Sequence, residues 1–544
     1  MTARILNLAL GLFLCAMPAC DNGAAPDDAT THDAGLRDVG IPDQAGPLAN
    51  VYLHNPVEDK RVTSQVKLQH LTDPDGKLTG TYARVYNCLN EVGGEKIDVT
   101  MAGIQIVGQM CHQVQKARPG ADGTYLAITP PATDADGNDP FAEIMAYHHI
   151  TTIHDHYYQT FGLAHLKDKQ MRTMVNVQAQ IFGQWIGILN AAYFPKETGS
   201  IFKQYFGVDL NQGEDAIIFS QDTINSDVDT AYDAPVLYHE YTHAAIGASA
   251  LWKPAVDIYG LDPTPKALNE ALADYLPASF LDSPKIGTYS LAAAGAARDL
   301  TRVFKCPDHI VGEEHTDGEV ASGTLWTLRQ LVGQKPADAA IWNAVLTFGM
   351  STNYEEASQA IIDELKQLAP DKVSAAEQLF KDRGMMGCIR LKDHVDFEGQ
   401  GGLAYPDSMA GTFPDGTPGY MQFRVAVQDA TKELTIEYVP AGGSFMGIPL
   451  GGVKGDVWVA LSKGSAPITY DYSTGKAVSS AHVVLKGADS GSGYKLVLSG
   501  DCISKGDLVL QFVNRGVDGG TLSRVKVTQN TQVTRTTDNF TGCN

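Results

Sequence analysis

Charge is scarce in this 544-residue chain, and positive charge is scarcer still. Only 19% of residues are charged, against about a quarter in typical soluble domains, and 63 acids outnumber 41 bases to leave a net charge of −22. That balance argues against a nucleic-acid-wrapping protein, whose phosphate partner needs clustered Lys and Arg. Long apolar runs are missing as well. Beyond the first twenty residues, no segment approaches the roughly twenty apolar residues that a spanning helix needs. None of the eight cysteines has Cys-x-x-Cys spacing, which argues against a cysteine-built zinc site. Neither a Gly-x-Ser-x-Gly nucleophile elbow nor a Gly-x-x-x-x-Gly-Lys phosphate loop occurs, and no internal repeat is evident.

With 44% hydrophobic residues the chain can nevertheless bury several cores, and its length implies roughly three or four domains. Its 54 glycines and 26 prolines suit a loop-rich extracytoplasmic protein better than a cytosolic helical one. The N-terminus agrees. Arg4 precedes the apolar stretch Ile5 to Leu14, which is the length of a secretory signal core and too short to span a bilayer. Cys20, preceded by a small residue, resembles the acylated cysteine of a bacterial lipobox. An ordinary secreted protein cleaved nearby is the alternative. Residues 21–50 carry six Asp against one Arg and nothing able to form a core, so they read as an extended acidic tether. An even count in an exported chain favours disulfides, and the six remaining cysteines allow fifteen connectivities, of which proximity singles out Cys88–Cys111, Cys306–Cys388 and Cys502–Cys543 as the simplest.

Residues 51–135 alternate in short runs between Gly and Asp turns and read as β-rich. Asp134 to Asp139 resembles the start of a calcium loop but lacks the closing bidentate acid, and is read as a plain turn. Pro140 to Leu163 has helical spacing. Its four histidines, His148, His149, His154 and His156, are taken as packing and surface residues, because adjacent histidines cannot share a helical face. Strands follow in parts of Val175 to Ile186 and at Ala216 to Phe219. From 232 to 385 apolar residues recur every three or four positions, which predicts a mainly helical region. Beyond about residue 395, Gln422 to Val427, Leu434 to Tyr438, Val457 to Leu461, Leu496 to Leu498, Leu508 to Val513 and Val525 to Val527 alternate between glycines and predict a β-sandwich.

The chemistry concentrates in two helical patterns. The first starts at Ala234, with Asp233 as its expected cap and Pro235 in its first turn. It carries His239, Glu240 and His243. Histidines four apart share a face and can hold one Zn²⁺, while Glu240, about 100° around the helix, can reach a water without ligating the metal. A catalytic zinc wants a third protein ligand. The second pattern, Ala267 to Phe280, supplies one: Glu270 and Asp274 lie four apart beside Asn269, flanked by Ala and Leu that no solvent face would choose. One acid can ligate and the other can fix a ligand imidazole from behind.

His-Glu-x-x-His followed by Asn-Glu-x-x-x-Asp is similar to the pattern of gluzincin peptidases, the thermolysin-like and fungalysin-like families. Ala146 to Tyr158 resembles the helix opening their catalytic domain. Asn190 and Ala191 resemble the edge strand that binds substrate backbone, and His315 to Trp326 the segment that begins with an active-site histidine. The resemblance covers about residues 140–390. It implies an α+β fold: a thermolysin-like catalytic body with a β-rich N-terminal part, an active-site helix and a mainly helical C-terminal lobe, followed here by an all-β sandwich-like domain. It implies that His239, His243 and Glu270 bind zinc and that Glu240 takes the proton from zinc-bound water and passes it to the leaving amine. In the same frame Asp274 orients His239, Asn269 steadies His243, and His315 stabilises the oxyanion. Tyr259 is a weak candidate for a helping tyrosine and Arg298 for binding the carbonyl beyond the scissile bond. Calcium is a further cofactor of such enzymes, but no residues are assigned to it. These families usually carry a large propeptide; here only about thirty linker residues separate Cys20 from the β-rich segment, and that segment is open to being read as a propeptide remnant with a different role.

The resulting map is a lipoprotein-type signal peptide at 1–20, a linker at 21–50, a β-rich segment at 51–135, a metallopeptidase domain at 136–392 and an accessory β-sandwich at 393–544. The expected function is an exported zinc endopeptidase acting on polypeptides, outside the cytoplasm, secreted or held to a cell surface or outer membrane through lipid on Cys20, with no nucleic-acid partner. The alternatives are a zinc aminopeptidase, although the Gly-x-Met-Glu-Asn segment of that group is absent, and a catalytically silent surface binding lipoprotein on a peptidase scaffold.

Overall fold

The computed structural model describes residues 46–101, 104–167, 169–181, 183–187, 189–197, 203, 208–209, 211–223, 226–247, 250–393, 396–442, 444–445, 448–449, 455–499, 503 and 506–533. The signal segment, Cys20, most of the linker, Cys502 and Cys543 lie outside the described residues. The fold mixes helix and sheet.

β1 (Leu48–Val51) and β2 (Ser64–Lys67) form an antiparallel hairpin that begins within the tether's expected span. β3 (Ala83–Leu89), β4 (Lys96–Met101), β5 (Ile104–Met110) and β6 (His112–Val114) precede the long helix α1 (Phe141–Phe161). After it come β7 (Met171–Val177), β8 (Ala179–Ile181), β9 (Gln184–Ile186), β10 (Ala191–Phe194), β11 (Ala216–Asp222) and β12 (Val228–Asp229). The main sheet runs β10-β11-β7-β3-β6, with β12 added to β11; the β3–β7 and β7–β11 pairs are parallel. Strands from before and after residue 135 therefore share one sheet. Every residue of β7 and β11 is buried, as parallel strands covered on both faces must be, so neither shows the alternation of a half-exposed strand. A second antiparallel sheet runs β4-β5-β8-β9, and the Cys88–Cys111 disulfide joins β3 to the residue following β5.

α1 packs on the main sheet and against α2 (Ala234–Ile246), which is buried along its whole length. Pro235 lies in the first turn of α2, as expected, but Asp233 does not cap it. Its carboxylate is drawn off by the Asn55 amide and by the backbone and hydroxyl of Ser290, which ties the N-terminal segment to the start of this helix. The hairpin β13 (Ala255–Asp257) and β14 (Gly260–Asp262) leads into α3 (Thr264–Leu281). The short strands β15 (Lys285–Ile286) and β16 (Arg298–Asp299) precede α4 (Glu314–Val332), which packs along α3. α5 (Gln334–Val345), α6 (Tyr354–Leu368) and α7 (Val373–Arg383) complete the helical lobe. Among the described residues no helix is long and apolar enough to cross a membrane.

β17 (Leu391–Lys392), β18 (Phe397–Tyr405), β19 (Thr417–Val427) and β20 (Glu433–Gly442) open two five-stranded sheets. One orders β17, β19, Gly506–Asn514, Val457–Lys463 and Val483–Leu485; the other β18, Gly520–Asn530, β20, Tyr494–Ser499 and Ala488–Asp489. The sheets meet face to face: the Tyr438 ring of one stands 5.3 Å from Phe512 of the other, and its hydroxyl donates to the Val457 carbonyl. The Cys306–Cys388 disulfide joins the root of this sandwich to the loop before α4. Both described disulfides match the pairing by proximity.

The α2–α3–α4 packing is dense, and Leu272 of α3 is 1% exposed within it. Leu272→Ala is expected to lower the unfolding free energy by about 2–5 kcal/mol, the usual range for a buried Leu-to-Ala cavity, read from urea denaturation midpoints.

Candidate metal centre

α2 carries His239 and His243 on one face, and α1 fixes which way that face points. Tyr238 and Tyr241 hydrogen-bond ring nitrogens of His149 (2.7 Å) and His154 (2.6 Å), and Thr242 bonds the Tyr157 hydroxyl at 2.6 Å. His154 also stacks on Tyr82, and the His156 ring lies 4.2 Å from Phe280. The histidines of α1 are thus packing and anchoring residues. Three bonds on consecutive turns leave α2 no freedom to roll, and the opposite face turns its imidazoles toward α3.

There the ligand atoms of His239, His243 and Glu270 all lie within 4.8 Å of one another. His239 Nε2 is 3.2 Å from His243 Nε2 and 3.2 Å from Glu270 Oε2, and His243 Nε2 is 3.7 Å from Glu270 Oε1. Four ligands about 2.1 Å from a common tetrahedral centre stand about 3.4 Å apart, so these spacings fit a zinc ion. Proton placement makes the same point. His239 Nδ1 meets Asp274 Oδ1 at 2.9 Å and His243 Nδ1 meets Asn269 Oδ1 at 2.6 Å. Both partners are acceptors, so each Nδ1 carries the hydrogen and each Nε2 presents a bare lone pair. With both rings in these neutral tautomers, two lone pairs and a carboxylate oxygen converge. Such a set is repulsive unless a cation sits at its centre. Among the described residues this is the one group of three His, Cys, Asp or Glu that converges in this way.

The electrostatics agree. Burial by itself would pull the His239 imidazole down, but the Asp274 and Glu270 carboxylates outweigh that and raise it to about 9, so that without a metal ion the cluster draws a proton onto this ring. Burial resists ionising Glu270, yet His315, His243 and His239 hold its carboxyl well below the usual range. The cluster calls for positive charge at its centre. Behind it, Arg298 Nε lies 3.1 Å from Asp274 Oδ2, so Asp274 links a ligand imidazole to a fixed guanidinium.

His315, in the first turn of α4, points Nε2 toward Glu270 Oε2 at 3.5 Å while leaving 45% of its side chain exposed. Its Nδ1 bonds Glu313 Oε1 at 2.7 Å, and the other Glu313 oxygen accepts from the Thr316 backbone and hydroxyl, capping α4. Burial opposes charging His315, but Glu270 and then Glu313 raise it to about 10. A cation on Glu270 would offset the first of these charges and leave Glu313 as the carboxylate that keeps His315 protonated. Sequence reading passed over Glu313. The available signal was an acid two residues before a helix-opening histidine, at the N-cap position.

The other candidates are dispersed. Glu240 is 6% exposed on α2, between His239 and His243 in sequence. Asn190 and Ala191 introduce β10, the edge of the main sheet, which packs against α2; the Asn190 backbone is bonded to Ser220 and its side-chain oxygen is buried without a partner. Tyr259 is at the turn of the β13–β14 hairpin, its ring 6.0 Å from the Arg390 guanidinium and its carbonyl accepting from Gln511 of the sandwich.

Comparison with protein-family models finds no match, and neither does comparison with curated sequences. Among solved structures, the precursor of protealysin, a metalloproteinase from Serratia proteamaculans, aligns at 12% identity with a TM-score of 0.36, over 58% of this chain and 90% of that one.

Asp274→Asn is expected to weaken Zn²⁺ binding roughly ten- to a hundredfold, as for other outer partners of metal-bound histidines; competition with a chromophoric chelator measures it. Glu313→Gln removes a carboxylate that favours the charged ring. The His315 proton should therefore be lost at lower pH than in the wild type, a downward shift visible in an NMR titration of the imidazole.

Proposed function

We propose that this chain is a zinc-dependent endopeptidase of gluzincin type, with His239, His243 and Glu270 as metal ligands. The observation carrying this reading is the convergence of two imidazole Nε2 atoms and one carboxylate from α2 and α3, with Glu240 on the same helix as the histidines. When bound, Zn²⁺ supplies a Lewis acid that polarises a carbonyl and lowers the pKa of water toward neutrality. Asp274 and Asn269 hold the two rings in the tautomer that leaves Nε2 free. Glu240 accepts the proton of the attacking water and returns it to the leaving amine. His315, kept protonated by Glu313, donates toward the oxygen that gains negative charge in the transition state. β10 stands at the end of the main sheet's order of described strands, where an extended peptide would add, with Asn190 and Ala191 at its start. Arg298 acts through Asp274, and Tyr259 belongs to the hairpin that leads into α3.

Export, anchoring through lipid on Cys20 and action outside the cytoplasm belong to the same proposal and rest on the N-terminal sequence pattern. Polypeptide is the proposed substrate; neither calcium nor nucleic acid has a part in the mechanism.

Glu240→Gln should keep stoichiometric zinc, measured by elemental analysis, and lose casein cleavage by roughly a hundred- to ten-thousand-fold, the range for a missing general base. Undiminished cleavage would remove Glu240 from the mechanism. Digesting a peptide library with and without chelator separates the alternatives: internal cuts mark an endopeptidase, stepwise N-terminal products an aminopeptidase, and zinc binding without cleavage a silent binding protein.

A further inference from the structure

The β-sandwich is more than an appendage joined by a linker, because it grips the two segments that lead directly into the helices of the metal centre. The first is the β13–β14 hairpin. Arg390, buried at the root of the sandwich, forks onto Asp257 at 2.8 and 2.9 Å, donates to the Leu261 carbonyl at 3.1 Å and to the Tyr420 carbonyl at 3.2 Å, and lies 3.6 Å from Asp262. The sandwich adds three more bonds along the hairpin: Tyr472 to the Asp257 carbonyl, the Tyr470 amide to the Ile258 carbonyl, and Gln511 to the Tyr259 carbonyl. Leu261 is counted in the sandwich's own apolar cluster with Phe413, Tyr470 and Val513. Asp262, the carboxylate beside Arg390, also accepts from the Thr264 amide at 3.0 Å, where α3 begins. Glu270 follows six residues later, roughly 9 Å along the helix axis.

The second segment precedes α4. The Ala404 amide of β18 bonds the Val311 carbonyl at 2.8 Å, and a Cβ on Gly312 would run into the Tyr420 ring. Asp317 gathers the Val311 and Gly312 amides at 2.6 and 2.9 Å and folds this loop onto the start of α4. His315 is three residues beyond Gly312. β19 touches both segments: Tyr420 supplies the carbonyl that receives Arg390 and the ring that abuts Gly312, and Pro418 packs against Gly260.

We infer that the sandwich is a positioning domain of the metal centre, and that Arg390, acting through Asp257 and Asp262, sets the placement of α3 and thereby of Glu270. Without the guanidinium, two carboxylates would face each other across the hairpin beside two carbonyls that have lost a donor. Relief requires the hairpin to open, and the first turn of α3 is bonded to it. An independent binding module would be joined by few contacts, whereas here a buried cation and bonds at successive residues couple it to the ligand helix.

This inference rests on the proposed metal site, and its test is Zn²⁺ affinity by chelator competition on the full chain, beside thermal unfolding. Arg390→Gln is expected to weaken Zn²⁺ binding roughly tenfold, the lower end of outer-partner effects. Arg390→Lys, which keeps the charge and loses the fork, should recover part of that loss. Tyr438→Phe loosens the sandwich core without touching the hairpin, and should lower the melting temperature while leaving Zn²⁺ affinity within about twofold of wild type, well short of that outer-partner range. Tyr472→Phe removes one hairpin bond and should shift affinity in the same direction as Arg390→Gln but by less; it serves if Arg390→Gln does not fold. Wild-type affinity in the Arg390→Gln and Tyr472→Phe proteins, or an equal loss in Tyr438→Phe, would overturn the positioning role alone. A wild-type chain that binds no zinc would overturn the metal reading and this inference with it.

Discussion

Two imidazole lone pairs and a carboxylate oxygen pointed at a shared centre constitute an unfavourable arrangement, and much of this molecule is organised to maintain it. The rings cannot relieve the repulsion by taking protons on Nε2 as neutral tautomers, because Asp274 and Asn269 claim the proton of each on Nδ1. They cannot turn aside, because α2 is bolted to α1 by three short side-chain hydrogen bonds on the opposite face. Nor can the carboxylate move away, since Glu270 rides on a helix packed between α2 and α4. Repulsion of this kind is relieved by a cation, which is why the arrangement is read as a binding site and not as an accident of packing.

The surrounding fold follows from that need for rigidity. A sheet with its central strands buried on both sides supports α1, α1 supports α2, and Asp274 extends the chain of support to Arg298. Buried polar groups recur along this path and bond one another, as Asp233 does with Asn55 and Ser290 and Asp274 with His239. In a low-dielectric interior such bonds have few competing geometries, so they specify one arrangement where apolar packing alone would tolerate several.

Local pattern was a good guide wherever a few neighbouring residues decide the outcome. The helical spacing from Pro140 corresponds to α1, Pro235 marks the first turn of α2, and the alternating runs beyond residue 395 are strands of two sheets. Asp233 shows where this kind of reading stops. A carboxylate at a helix start is a good cap in isolation, but once buried it bonds to whatever donors surround it, and Asn55 and Ser290 lie far away in sequence. Glu313 was overlooked for the converse reason: an acid on a helix end has an ordinary local explanation, and its bond to His315 is visible only in three dimensions.

By itself, the sequence determined the types and spacing of the metal-ligand candidates and the two helices that carry them; the pairing of Cys88 with Cys111 and of Cys306 with Cys388 was one choice among fifteen until the structure showed it. The helical features depend on the period of apolar and polar positions, which a linear pattern encodes. Only the tertiary structure decided that Glu270 meets both histidines and that Arg390 clasps the hairpin leading into α3. Each depends on the distance between segments separated by up to 133 residues, as Asp257 and Arg390 are. That distance is a sum over the packing of every element between them, and no residue records it locally.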